Sequence, residues 1–173
     1  MKASEILSQE HKNILAGLDG LERLMASPLA GQEDTLRRYI SFIQEYADAY
    51  HHAKEENIYF KWIGEHNPMM LNGPVACMLT EHQHGRNLVG DAAKAVGKLA
   101  AGDASAEETI RGSLSGFISM LRAHIMKEDQ VLYPMTDNLD GSVGTGDATM
   151  LPLFDEVAEK LAGVPEKFAD LYS

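Results

Sequence analysis

Four long stretches of the chain repeat apolar residues every three to four positions, and clusters of Gly, Pro and Asn separate them. The first runs from about Ser4 to Ala26 and puts Leu7, His11, Ile14, Leu18, Leu21 and Met25 on one stripe, before Ser27, Pro28 and Gly31 break it. The second, about Glu33 to Gly64, aligns Ile40, Ile43, Ala47, His51, Glu55, Ile58 and Trp62, and HNPMMLNGP after it reads as a loop. The third starts at Pro74, a residue suited to a first helical turn, and reaches about Ala101 with Val75, Met78, His82, Val89, Ala93 and Val96 on its face. The fourth starts near Ala104, where Asp103 or Ser105 can cap it and Glu107 and Glu108 suit the positive end of the helix. Ile110, Leu114, Phe117, Leu121, His124, Glu128 and Val131 line its inner face, and Pro134 marks its end. Four such segments with short connections predict an all-α, antiparallel up-down four-helix bundle.

Beyond the fourth segment the pattern changes. Residues 137–148, DNLDGSVGTGDA, are rich in Gly, Asp and Ser and predict a flexible linker. A short amphipathic helix from about Thr149 to Leu161 would dock Leu151, Phe154, Val157 and Leu161 on the bundle. The chain thus divides into a bundle (1–136), a linker (137–148) and a C-terminal helix and tail (149–173).

The apolar stripes carry a chemical anomaly: histidines and glutamates occupy positions that should be apolar. They belong to an internal repeat. HHAKEENIYF (51–60) matches HIMKEDQVLY (124–133), and EHKNIL (10–15) matches EHQHGRNL (81–88) more loosely. His11 and His82 lie 71 residues apart and His51 and His124 lie 73 apart, so the first helix pair is equivalent to the second. His51 and Glu55, like His124 and Glu128, are four apart and share a helix face. That face is the core stripe, where unpaired carboxylates would cost several kcal/mol to bury. A bound cation removes that cost. Two carboxylates and four imidazoles at one depth of a bundle predict a site for two metal ions, with Fe, Zn, Cu or Ni all suited to imidazole.

His52 and Glu56 share the same spacing, but Asp48, Glu45 and Ser41 behind His52 read as a solvated face. The repeat also aligns His51 with His124. His51 and Glu55 are therefore assigned inward, with His52 about 100° around the helix yet still within reach of a metal. Glu10 and Glu81 read as surface or supporting groups, the tyrosines as packing at the core edge, and Cys77 as a small core residue.

Composition narrows the remaining classes. The net charge of −11 argues against nucleic-acid binding. The single Cys77 excludes an internal disulfide, and there is no thiolate set for an iron–sulfur cluster. The N-terminal MKASEILSQEHKN lacks a secretory apolar stretch, and no segment approaches a membrane span. A cytoplasmic location is expected.

Together, EH in the first segment, HHxxEE at His51 to Glu56, EH in the third and HIxxED at His124 to Asp129 resemble the hemerythrin-like, or HHE cation-binding, family over residues 10 to 135. The resemblance implies a non-haem di-iron centre with bridging carboxylates. Carried over by position, His11, His51, Glu55, His82, His124 and Glu128 would be ligands. Oxygen-carrying members have a further histidine in the third helix where this chain has Arg86, and His52 can supply the missing imidazole. They also use an aspartate five places after the fourth-helix histidine. Asp129 has that spacing, while the HHE branch and the internal repeat favour Glu128. Arg86, Glu56 and Asp129 are assigned to the rim, Arg86 pairing with a carboxylate such as Glu55 or Glu56. The resemblance implies binding or sensing of O2, NO or iron. The alternatives are an oxidoreductase that decomposes peroxide or reduces NO, and a structural helical module with a vestigial metal site.

Overall fold

A computed structural model describes residues 1–172; Ser173, the last residue of the expected C-terminal segment, lies outside the described residues. The described chain is all-helical. Helix α1 is Ala3–Met25. Helix α2 is the continuous run 33–66, α3 is 68–100 and α4 is 106–143. Three shorter helices close the chain: α5 (Gly146–Lys160), α6 (Gly163–Lys167) and α7 (Ala169–Tyr172). No described helix is long and apolar enough to cross a membrane.

The stripes bury as the periodicity requires. Ile14, Leu18 and Leu21 of α1 join Ile40 and Ile43 of α2, Val89 and Val96 of α3, and Ile110 and Leu114 of α4 in one buried cluster. Gly17 makes the α1–α2 approach possible, since a Cβ there would stand 2.3 Å from the Phe42 ring. The buried apolar residues form two clusters. One contains Ile14, Leu18, Ala47, Val89 and Leu121, and the other contains Leu7, Ile58, Met78 and Leu132. On every long helix the boundary between them falls at the His/Glu motif. The polar positions therefore form one layer between two apolar ones.

Five expectations are corrected. Residues 66–74 are helical except at Asn67, whose side chain accepts from the Met69 and Met70 N–H groups and starts α3 with Pro68 in its first turn. Pro134 does not end α4. It follows a π-helical turn, Glu128–Leu132, in which Tyr133 N–H bonds to the Glu128 carbonyl five residues back. A proline just after that interruption removes no bond from a regular ladder. The same extra residue per turn rotates the register, so Leu132 and Tyr133 point inward and Val131, expected inward, is exposed.

Likewise, the stretch expected as a linker, 137–148, is helix to Val143 and helix again from Gly146. Gly144, at φ +79°, supplies the left-handed turn between them. Asp137 accepts from Ser4 Oγ and pairs with Lys2, and Asp147 accepts from the Ala3 N–H, so both ends of this region cap α1. Met150 and Phe154 of α5 enter one core cluster, and Phe168, just before α7, enters the other. Cys77 is exposed, not in the core.

Candidate metal centre

The repeated motif HxxxE sits at π-helical turns in both halves. Phe60 N–H bonds to the Glu55 carbonyl as Tyr133 N–H does to that of Glu128. The extra residue per turn lets the helix carry a carboxylate inward while its successors repack. A further π-helical stretch, Ile43–His52, ends with Ala53 N–H on the Asp48 carbonyl. It turns both His51 and His52 toward the interior, where both are buried.

The structure brings together His11, His51, His52, Glu55, His82, His124 and Glu128, all buried. Their donor atoms form two groups with the compactness of metal sites. One is His52, Glu55, His82 and His124; the other is His11, His51, Glu55 and Glu128. Glu55 belongs to both. Its Oε2 is 3.5 Å from His51 Nε2 and 3.5 Å from His82 Nε2, one histidine from each group. Glu128 Oε2 is placed the same way, 3.3 Å from His11 Nε2 and 3.2 Å from His124 Nε2. Ligands at right angles on one ion, each about 2.1 Å from it, are about 3 Å apart. Each carboxylate thus has the position of a bridge.

A ring of carboxylates fixes the imidazoles from outside. Glu10 accepts from His51 Nδ1 at 2.9 Å and Glu81 from His124 Nδ1 at 2.8 Å. Asp129 accepts from His11 Nδ1 at 3.0 Å, Glu56 from His82 Nδ1 at 2.7 Å, and Asp48 from His52 Nδ1 at 3.2 Å. A carboxylate at each Nδ1 favours the tautomer that keeps the proton there, so each neutral imidazole presents its Nε2 lone pair inward. His82 Nε2 and His124 Nε2 face each other at 3.0 Å. That contact needs a proton on one of the two nitrogens or a cation shared by both lone pairs.

The outer ring repeats with the chain's duplication. Glu10 also binds Lys54 Nζ, and Glu81 binds Lys127 Nζ. His11 stacks near Tyr133 and His82 near Phe60, with ring centroids 5.5 and 5.9 Å apart. His11–His51 and His82–His124 centroids are 4.6 and 4.7 Å apart. The symmetry breaks at two places. His52 occupies the place of Ile125 and stacks on His82 at 3.8 Å, while Asp48 and Arg86 support that side. Tyr133 occupies the place of Phe60, and its hydroxyl donates to Glu55 Oε1 at 2.6 Å.

The protein's own charges leave this set unsatisfied. Among the described residues His51 Nε2, Glu55 Oε2 and both Glu128 oxygens are buried without a hydrogen-bond partner. Burial and the neighbouring Glu128 push the Glu55 carboxyl well up. Burial would raise Glu128 too, but the His11 and His124 imidazoles beside it outweigh that and hold its carboxyl down. Burial and the adjacent imidazoles depress His51, and they lower His52 to about 4. His11 goes the other way: burial opposes protonation, yet Asp129 and Glu128 raise it to about 9. Carboxylates and lone pairs aimed at a common dry point fit cations, and the nitrogen and oxygen donors suit iron or zinc.

At the rim, Arg86 donates to Asp48 at 2.7 Å and to Glu56 Oε1 at 2.7 Å, and not to Glu55. Asp48, read from sequence as solvated, is half-buried between Arg86 and His52. The supporting roles of Lys54 and Lys127 were also missed. The recurrence of Lys at the fourth place of both decapeptides was the available signal. A cavity of about 190 Å³ reaches this side of the centre, ending at His52, His82 and His124 and walled by Val89, Phe117 and Leu121.

A family model described as the hemerythrin HHE cation binding domain matches residues 2–136. Uncharacterized proteins of Mycobacterium bovis and of two Mycobacterium tuberculosis strains are 26% identical to the chain, over 98% of its length and 68% of theirs. No solved structure gives a significant match.

Proposed function

This chain belongs to the hemerythrin HHE cation-binding domain family, and we propose on that premise that it is a non-haem di-iron protein that binds a small ligand such as O2, NO or peroxide. In this reading α1 to α4 take the antiparallel up-down arrangement of a four-helix bundle. His52, His82 and His124 would hold one ion and His11 and His51 the other, with Glu55 and Glu128 available to both. Iron at these positions would supply a redox couple and an exchangeable coordination position.

The chain's residues prepare the centre. Five outer carboxylates keep each Nδ1 protonated and each Nε2 free. The apolar layers on either side exclude bulk water and strengthen the electrostatics between them. Tyr133 O–H fixes the rotation of Glu55 and is a buried proton donor beside it. The observation that carries the proposal is Glu55 Oε2, unpartnered and equidistant from one histidine of each group.

Elemental analysis of the purified protein, with visible spectra before and after dithionite and air, tests the reading. About two irons per chain and an oxidised-state absorption that disappears on reduction are expected. Less than one ion per chain, with no uptake on reconstitution, would refute it. A second reading, an oxidoreductase that turns over peroxide or NO, gains support from the cavity that opens one side of the centre. Many turnovers per centre would identify the enzyme, and stoichiometric reversible ligand spectra would identify the binding protein.

A further inference from the structure

Access to the centre is one-sided. The cavity ends on His52, His82 and His124 and touches neither His11 nor His51. On the opposite side the Tyr133 hydroxyl stands 3.4 Å from His11 Nε2 and closes the approach. The open side is also the side on which the internal symmetry fails through His52, Asp48 and Arg86.

The dimensions speak about the occupant. A diatomic needs far less than 190 Å³. An apolar cavity of roughly 150 Å³ accepts benzene, a body of six carbons. The walls here are Ile43, Ala47, Val89, Phe117 and Leu121, while polar groups collect at the histidine end and at the mouth. At the mouth Arg86 is already engaged by Asp48 and Glu56, so it offers no free charge to an anion's carbon end. The recognition elements are therefore an apolar sleeve and a metal-facing floor.

We infer that this cavity binds a small amphiphile, a carboxylate or hydroperoxide oxygen head directed at the His52/His82/His124 ion and an apolar body of about six carbons in the sleeve. The inference rests on the metal reading above. It makes the centre selective for the length of an organic chain, a property that a gas site does not need. Val89, Phe117 and Met120 line the sleeve, Met120 half-buried, so the size of their side chains limits the body it admits.

The test uses the full chain loaded with zinc, which binds nitrogen and oxygen ligands without redox chemistry. Metal content is measured first. Calorimetry then follows straight-chain carboxylates from acetate to octanoate, and tert-butyl hydroperoxide against hydrogen peroxide. Affinity should rise about fourfold per methylene and level off at about six carbons. The organic hydroperoxide should bind at least tenfold more tightly than hydrogen peroxide. The arm with the larger gain identifies the natural head group. Val89→Phe should shift the plateau to shorter chains and Met120→Ala to longer ones, and opposite shifts cannot come from general destabilisation. Two bound zinc ions with a flat series and no hydroperoxide preference overturn this inference and leave the metal reading intact. Failure to hold zinc or iron overturns both.

Discussion

Glu10 and Glu81 do the same work in the two halves of the centre but in different surroundings, so replacing each by Gln separates metal binding from folding. Each carboxylate takes the Nδ1 proton of one imidazole, at 2.9 Å for Glu10–His51 and 2.8 Å for Glu81–His124. Removing such a partner costs roughly 10- to 100-fold in metal affinity, and the two variants should lose similar amounts. Their effects on the metal-free fold should differ. The lysine beside Glu10, Lys54, is 1% exposed, whereas the Lys127 side chain beside Glu81 is 38% exposed. Removing one partner of a buried ion pair costs about 3–5 kcal/mol. The Tyr50 ring, 3.6 Å from Lys54 Nζ, still faces the ammonium and favours the lower end. At about 2–4 °C per kcal/mol, Glu10→Gln should lower the melting temperature by about 6–12 °C. Glu81→Gln, at about 0–1 kcal/mol, should lower it by less than about 4 °C. Competition with a chromophoric chelator measures the affinity, and thermal denaturation followed by circular dichroism after chelation measures the fold. Equal melting shifts, or an affinity loss confined to one variant, would refute the paired-support reasoning.

Three further outcomes follow from the same geometry. His52→Ile, which installs its repeat counterpart, should convert a metal titration with two strong steps into one strong and one weak step. Two unchanged steps would remove His52 from the centre. Tyr133→Phe should leave helix content unchanged but lower metal affinity by about tenfold through loss of the hydrogen bond to Glu55; an unchanged titration curve would show that this hydroxyl plays no part. The metal-free protein should be most stable near neutral pH. His52 is lowered to about 4, so below pH 6.5 the unfolded chain takes a proton that the folded chain refuses, and stability falls with pH. His11 is raised to about 9, so its contribution is complete below 6.5 and is lost as pH rises toward 9. Melting curves across pH 4 to 9.5 should therefore peak between the two windows. Metal loading should flatten the alkaline arm, because a metal-bound His11 Nε2 carries no proton.

The parts of the fold that rest on one helical period were legible in the sequence. Leu7, Ile14, Leu18 and Leu21 are all buried, and the same stripe carries His11 to the centre between them. The duplication located His51, Glu55, His124 and Glu128 because both copies place His and Glu four apart. Periodicity failed where the backbone adds a residue per turn. A fixed period assigned Val131 inward in place of Tyr133, and it ended α4 at Pro134 although the preceding π turn tolerates proline. It also set His52 at the edge of the stripe, whereas the π-helical stretch 43–52 buries it beside His51. The outer carboxylates were harder to see. A carboxylate that orients a histidine on another helix is joined to it by no local spacing, and Asp48 looked like any polar residue on a wet face. Cys77 misled because small size suits a core but does not require one.

The two halves of the chain repeat the same motifs and differ at the positions where the centre is lopsided. Were each half a separate subunit of a homodimer, every substitution would appear twice: a His52 would bring a second histidine in place of Ile125, and a Tyr133 would bring a second tyrosine in place of Phe60. A symmetric pair could not have one side open to a sleeve and the other closed by a phenol. Joining the copies in one polypeptide frees each end to diverge alone. That covalent link, remote from the buried histidines, is what permits the two sides of the centre to differ.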